Sequence, residues 1–253
     1  MPLDRRTRIR TPFAPEFDLP PPFTLVALRE AGDAFVHAQR IAADAGAGTL
    51  VHVGRFDLAE FAVVLEPAES LRTARRAFYA GMVSLGDALA THAPPEKPIV
   101  YEWPDAVQVD GGLVGGGRLA WPSGASEDEA PRWLVFGAMI RTVSMSDNEP
   151  GLRPLVSALG EEGFTDLDST QLIASFARHL MVTIDTWQQQ GFATVAKKYL
   201  TRLPAGNGTR CDIDDNGDLL VHRMDAIEAE RLKLLPALAA ASWLDGKTGG
   251  PRT

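Results

Sequence analysis

Residues 101–121 read YEWPDAVQVDGGLVGGGRLAW, and the fold follows from how this stretch is parsed. Ile99, Val100 and Tyr101 make a β-branched and aromatic run that favours a strand. Trp103-Pro104 ends it, because proline has no N–H to give to a sheet ladder. Val107 and Val109 then alternate with polar neighbours, and Asp110-Gly111-Gly112 supplies a hairpin turn that tolerates positive φ. Leu113 opens the return strand. Inside it, Gly115, Gly116 and Gly117 are costly unless another group approaches the backbone or the strand bends. Two readings stand side by side: a ligand floor beside the Trp103-Pro104-Asp105 turn, or a bulge that redirects the sheet.

The bulk numbers exclude several classes. A chain of 253 residues with 45% hydrophobic content fits one large domain, or one domain with a small appendage. A net charge of -8 and a pI near 5.2 argue against nucleic acid as a partner, since phosphate binding wants a basic face. The single cysteine, Cys211, permits no internal disulfide and fits a reducing compartment, so a cytoplasmic protein is expected. No apolar run approaches the roughly 20 residues needed to cross a bilayer, so no membrane partner is expected. The N-terminal MPLDRRTRIRTPFAPEF carries charge with no apolar run behind it, which is not a secretory signal. There is no P-loop, no zinc spacing, no G-x-S-x-G and no histidine cluster that suggests a metal.

Outward from the central hairpin, residues 1–22 are a proline-rich arm. Phe23 to Leu28 is a short apolar opening segment. Glu30 to Ala45 reads as a helix, with Ala31, Ala34, Phe35, Ala38, Ile41 and Ala42 on one stripe. Thr49 to Val53 and Ala59 to Leu65 read as strands. Gly54-Arg55 lies between them, either meeting an anion or making a plain hairpin with a surface arginine. Ser70 is expected to cap a long helix to about Ala90. Ser123 to Pro131 is an acidic surface loop, and Arg132 to Val143 is the most apolar strand. Gly137 interrupts that strand, and Arg141 within it needs a salt-bridge partner or a ligand. Residues 144–168 form a long irregular connection. Helices follow over Ser169 to Gln190 and Phe192 to Leu200. A linker at 204–208 leads to a hairpin, Thr209 to Ile213 with Leu219 to His222. Asp212-x-Asp214-x-Asn216-Gly217 imitates the front of an EF-hand, but Arg223 stands where that loop needs glutamate, so it reads as a turn. Ala226 to Leu244 reads as a terminal helix, broken near Pro236.

This order of elements resembles the catalytic region of the biotin protein ligase and lipoate ligase family over roughly residues 25–223. Trp103-Pro104-Asp105 is similar to their W-P-N-D segment, and Leu113 to Leu119 to the strand after it. Phe136 to Arg141 is similar to the G-A-G-I-N strand. The resemblance implies an α+β fold with a mixed, mainly antiparallel sheet flanked by helices. It also implies a main domain over 23–203 and a small C-terminal unit over 204–253. A small acyl or biotin-like ligand would be lined by Arg55, Trp103, Pro104, Asp105, Gly115, Gly116, Gly117, Arg118, Gly137 and Arg141. An active ligase would use ATP with biotin or lipoate and a carrier-protein lysine as acceptor.

Two departures bear on activity. The family's Gly/Arg-rich loop is reduced here to Gly54-Arg55. The lysine after the W-P-N-D segment is absent, because no lysine lies between Lys97 and Lys197. Cationic groups stabilise a transferring phosphoryl, and losing one costs on the order of 2–4 kcal/mol in comparable sites. Little standard ligase activity is therefore expected, unless Arg55, Arg118 or Arg141 substitutes, and no catalytic residue is assigned. The alternative is a non-catalytic binding or scaffold protein on the same fold. The cysteine-dependent octanoyltransferase branch is disfavoured, since Cys211 lies in the C-terminal hairpin.

Overall fold

A computed structural model describes residues 17–30, 32–144, 155–204, 206 and 208–252. Outside them fall the arm's arginines, Ala31, residues 145–154 of the long connection, and Ala205 and Asn207 of the linker.

The chain begins with β1 (Thr24–Leu28), α1 (Ala34–Ala45), β2 (Thr49–Val53) and β3 (Leu58–Leu65). Next come α2 (Leu71–Ala74), α3 (Ala77–His92), β4 (Ile99–Glu102), β5 (Ala106–Val109), β6 (Gly112–Ala120) and β7 (Leu134–Arg141). The helices α4 (Ser169–Gln190) and α5 (Phe192–Leu200) precede β8 (Thr209–Ile213), β9 (Leu219–Arg223), β10 (Glu230–Leu232) and α6 (Leu234–Leu238). The main sheet runs β1-β2-β3-β7-β6-β5-β4, and β8, β9 and β10 form a second, three-stranded sheet. Among the described strands of the main sheet β1–β2 is the one parallel pair, so the α+β, mainly antiparallel class is what forms.

Alternation along β3 divides the two faces. Ala59, Phe61 and Val63 join the core beneath α3, α4 and α5, whereas Ala62 and Val64 pack under α1. The helix-covered face is close-packed: a Cβ on Gly81 of α3 would lie 2.3 Å from the Phe136 ring. Asp33 caps α1 by accepting from the Val36 N–H at 2.8 Å. A reciprocal capping box between Asp168 and Gln171 starts α4, and Gly191 at φ 84° separates it from α5.

Of the two readings of the central glycines, the bulge is what the strand register shows. Val107 pairs with Gly115 but Gln108 pairs with Leu113, so Val114 is the extra residue of a bulge. Gly115 also has φ +152°, and a Cβ there would sit 1.9 Å from the Met139 carbonyl oxygen.

Three sequence expectations are corrected. The helix expected from Glu30 starts at Ala34, where Asp33 supplies the cap. The single helix expected over 70–90 is two, α2 and α3, and Ser70 makes no side-chain cap. The acidic loop does that work instead: Glu129 and Glu127 carbonyls accept from Leu71 and Arg72 N–H, and the Glu127 carboxylate grips buried Arg75 at 2.7 and 2.8 Å. The terminal helix expected over 226–244 is replaced by β10 and the short α6. Arg231 binds Asp214 and Asp218, and Asp218 also accepts from Leu234 N–H, which fixes this segment beside β9. The Asp214 carboxylate also accepts from the Asn216 and Asp218 N–H groups, which holds a turn, as the Arg223 position implied.

Candidate functional site

On the sheet face away from α3 and α4, three layers of cover meet. The first is α1. Gly137 leaves room for Phe35, to whose ring a Cβ would come within 2.5 Å. The Arg118 guanidinium lies 4.3 Å from the centroid of the same ring, with Asp33 at 3.9 Å. Burial lowers the Arg118 pKa, and its Nε is buried with no hydrogen-bond partner among the described residues. Glu60 of β3 is buried too, and its Oε1 accepts the Ala34 N–H at 2.9 Å, at the start of α1. Burial raises the Glu60 pKa, and Asp33 pushes the same way.

The second is the β2–β3 turn. Arg55 Nε and Nη2 donate to the two Asp57 oxygens at 3.1 and 2.8 Å. That hydrogen bonding lowers the Asp57 pKa and raises that of Arg55.

The third is the chain's own C-terminal segment. Trp243, fully buried, lies against Gly116, where a Cβ would meet the indole Cδ1 at 2.3 Å and Nε1 at 2.4 Å. Its Nε1 donates to the Gly117 carbonyl at 3.2 Å. Ser242 donates twice to the Asp105 carboxylate, through N at 3.0 Å and Oγ at 2.6 Å. Burial nevertheless raises the Asp105 pKa, outweighing these bonds. Arg141 donates to the carbonyls of Ser157, Pro251 and Arg252 at 3.2, 2.9 and 3.1 Å.

Of the ten residues singled out from the sequence, Asp105, Gly116, Gly117 and Arg141 thus meet beneath the C-terminal segment. Arg118 and Gly137 lie beside it under α1, and Arg55 faces Asp57. Gly115 is used inside the sheet. Trp103 and Pro104 turn elsewhere: Trp103 Nε1 donates to Tyr79 Oη at 3.2 Å, and the Pro104 carbonyl accepts from Tyr199 Oη at 2.8 Å. The Trp103–Pro104 peptide is cis. Glu60, Ser242 and Trp243 escaped the sequence reading, and Phe35 was read only as part of a helix stripe. A glutamate in the apolar run LAEFAVVL was a usable signal; nothing near Trp243 pointed to a strand more than 120 residues earlier, its bond to Gly117 spanning 126. A cavity of about 970 Å³ opens elsewhere, among Val63, Leu134, Ile184, Trp187 and Phe192, and none of the ten residues lines it. Among the described residues no cluster of His, Cys, Asp or Glu is placed to hold a metal, and no helix is long and apolar enough to cross a membrane.

This sheet with its three-helix face and α1-covered face defines the biotin ligase catalytic fold. The profile of the Biotin/lipoate A/B protein ligase family matches residues 19–201, and the chain belongs to that family. A biotin protein ligase-like protein of unknown function from Silicibacter sp. TM1040 superposes with a TM-score of 0.75 at 25% identity, over 87% of this chain and 98% of that one. The biotin protein ligase of Aquifex aeolicus superposes with a TM-score of 0.63 at 14% identity, over 83% and 95%. That of Leishmania major, solved with biotinyl-5-AMP, gives 0.55 at 14% identity, over 84% and 99%. No curated protein matches the chain.

Proposed function

We propose that this chain binds a small acyl or biotin-like ligand on the sheet face around Asp105, Gly116, Gly117 and Arg141, and does not carry out efficient adenylation. The observation that carries the reading is the seat of Trp243: a planar bicyclic ring rests directly on strand backbone at Gly116, with acceptors at Gly117 O and Asp105 around it. A ligand of similar thickness with N–H donors, such as the ureido ring of biotin, suits those acceptors better than a bare alkyl chain. Arg118 and Gly137 would flank it, and Arg141 would meet its carboxylate.

The residues present do not fit a nucleotide triphosphate. Transferring a phosphoryl group needs cations aimed at the developing charge. Here Arg55 is gripped bidentately by Asp57 and Arg118 is stacked on Phe35. The Gly54–Asp57 turn is too short to close over a phosphate. Lys97 is bound to Asp110 and Glu162. No acyl transfer to a carrier lysine is expected.

The test pairs calorimetric titration with a pyrophosphate-release assay, using ATP with biotin, lipoate and octanoate. Saturable binding of at least one acid without pyrophosphate release is expected. Sustained pyrophosphate release would overturn the non-adenylating half. No binding of any acid to the protein or to its Trp243→Ala variant would overturn the ligand half.

A further inference from the structure

The floor that the glycines of β6 create is covered by a piece of the same chain. Residues 243–252 fold back as a narrow loop: Leu244 bridges Pro251, Arg252 N–H donates to the Trp243 carbonyl at 2.7 Å, and Asp245 N–H to that of Gly250 at 2.9 Å. Only Trp243 and Pro251 of this loop are buried, and 246–249 are exposed. The preceding Ala239 and Ala240, just beyond α6, are exposed as well.

Two features set this cover apart from ordinary core. First, its apolar contacts form a separate small cluster, Trp243 with Leu58, Ala106 and Met139, apart from the two clusters that hold the sheet to its helices. None of its side chains belongs to either of those clusters. Second, it lies over Asp105 and Arg141. Enclosing charged groups is unfavourable unless each is fully hydrogen-bonded, and an apolar floor would serve a purely structural cover better. The segment meets that demand in the way a bound peptide does, with an N–H and a hydroxyl to the carboxylate and carbonyls to the guanidinium.

We propose that residues 241–252 are a displaceable plug, an intramolecular peptide ligand that occupies the small-molecule site and must leave before another molecule enters. The identity of the entering ligand rests on the reading given under the proposed function; the plug does not. The exposed Ala239-Ala240 link is the hinge, and one indole together with the contacts to Asp105, Gly117 and Arg141 is the latch. A ligand then binds with an apparent affinity reduced by the fraction of molecules whose plug is seated.

The test uses the full chain and its Trp243→Ala variant, followed by hydrogen exchange, with a synthetic peptide of residues 241–253 as one probe and biotin, lipoate and octanoate as others. In the native chain the amides of Asp245 and Arg252 should exchange at least about tenfold faster than those of β3 and β7, through local opening. The variant should speed plug exchange a further tenfold or so, leave β3 and β7 protected, and bind the free peptide about tenfold more tightly than the native chain does. Equal exchange of plug and sheet, loss of β3 and β7 protection in the variant, or failure of the peptide to bind it would each overturn the plug. Peptide exchange with no acid binding keeps the plug and defeats the acyl reading alone. Acid binding that is equal in both proteins and leaves plug exchange unchanged defeats the plug alone.

Discussion

Alanine at Gly116 and alanine at Gly117 should have unequal costs, because the two added methyls point to opposite faces. At Gly116 the nearest atom is the Asp105 backbone oxygen, 2.1 Å from the new Cβ, followed by the Trp243 ring at 2.3 Å. That oxygen accepts the Gly117 N–H at 2.9 Å, so it cannot retreat without breaking a sheet contact. Release of Trp243 would relieve only part of the clash. At Gly117 the nearest atom is Met82 Sδ at 2.6 Å, the end of a flexible side chain, with the Phe136 ring next at 3.1 Å. Overpacking in a filled core costs about 1–3 kcal/mol. Gly116→Ala belongs near the top of that range and Gly117→Ala near the bottom. At about 2–4 °C per kcal/mol for a protein of this size, Tm should fall by roughly 4–12 °C in the first and 2–4 °C in the second. Urea unfolding followed by circular dichroism measures both differences, with m held constant as the check on two-state behaviour. Equal losses, or a larger loss for Gly117→Ala, would refute the assignment of the two glycines to opposite faces.

Three further outcomes are expected. Asp57→Asn removes a carboxylate whose pKa the Arg55 hydrogen bond lowers, so the deficit against the native protein should be full at neutral pH and shrink as pH falls below about 3.9. Glu60→Gln keeps an acceptor for Ala34 N–H but cannot ionise; because burial raises the Glu60 pKa, the native protein loses stability relative to the variant as pH rises above about 4.3, and urea midpoints from pH 4 to 8 should show the gap shifting in the variant's favour. Glu127→Ala strips the bidentate partner from buried Arg75 and should cost about 1–3 kcal/mol, read as a lower urea midpoint, whereas neutralising exposed Asp128 should change it little.

The main sheet was legible because its signals are local. Strand breaks at Pro104, alternation at Val107 and Val109, and the apolar run through Phe136 each fix an element within a few residues of themselves. The ends of α4 and α5 were legible for the same reason, since Asp168 and Gly191 act on adjacent backbone. The C-terminal segment was not. Its alanines and leucines suit a helix, yet Arg231 binding Asp214 and Asp218 makes part of it a strand. The split between α2 and α3 likewise depends on a loop more than 50 residues away, as the Arg75–Glu127 contact spans 52.

The sequence alone determined the family and the mainly antiparallel sheet, because hydrophobic period and turn chemistry are properties of the chain itself. Tertiary structure decided which face each glycine serves, that Arg55 and Arg118 are held by Asp57 and Phe35, and that Trp243 lies on Gly116. Those facts rest on contacts between residues far apart in sequence, where a side chain's partner is set by which elements pack together and not by its neighbours along the backbone.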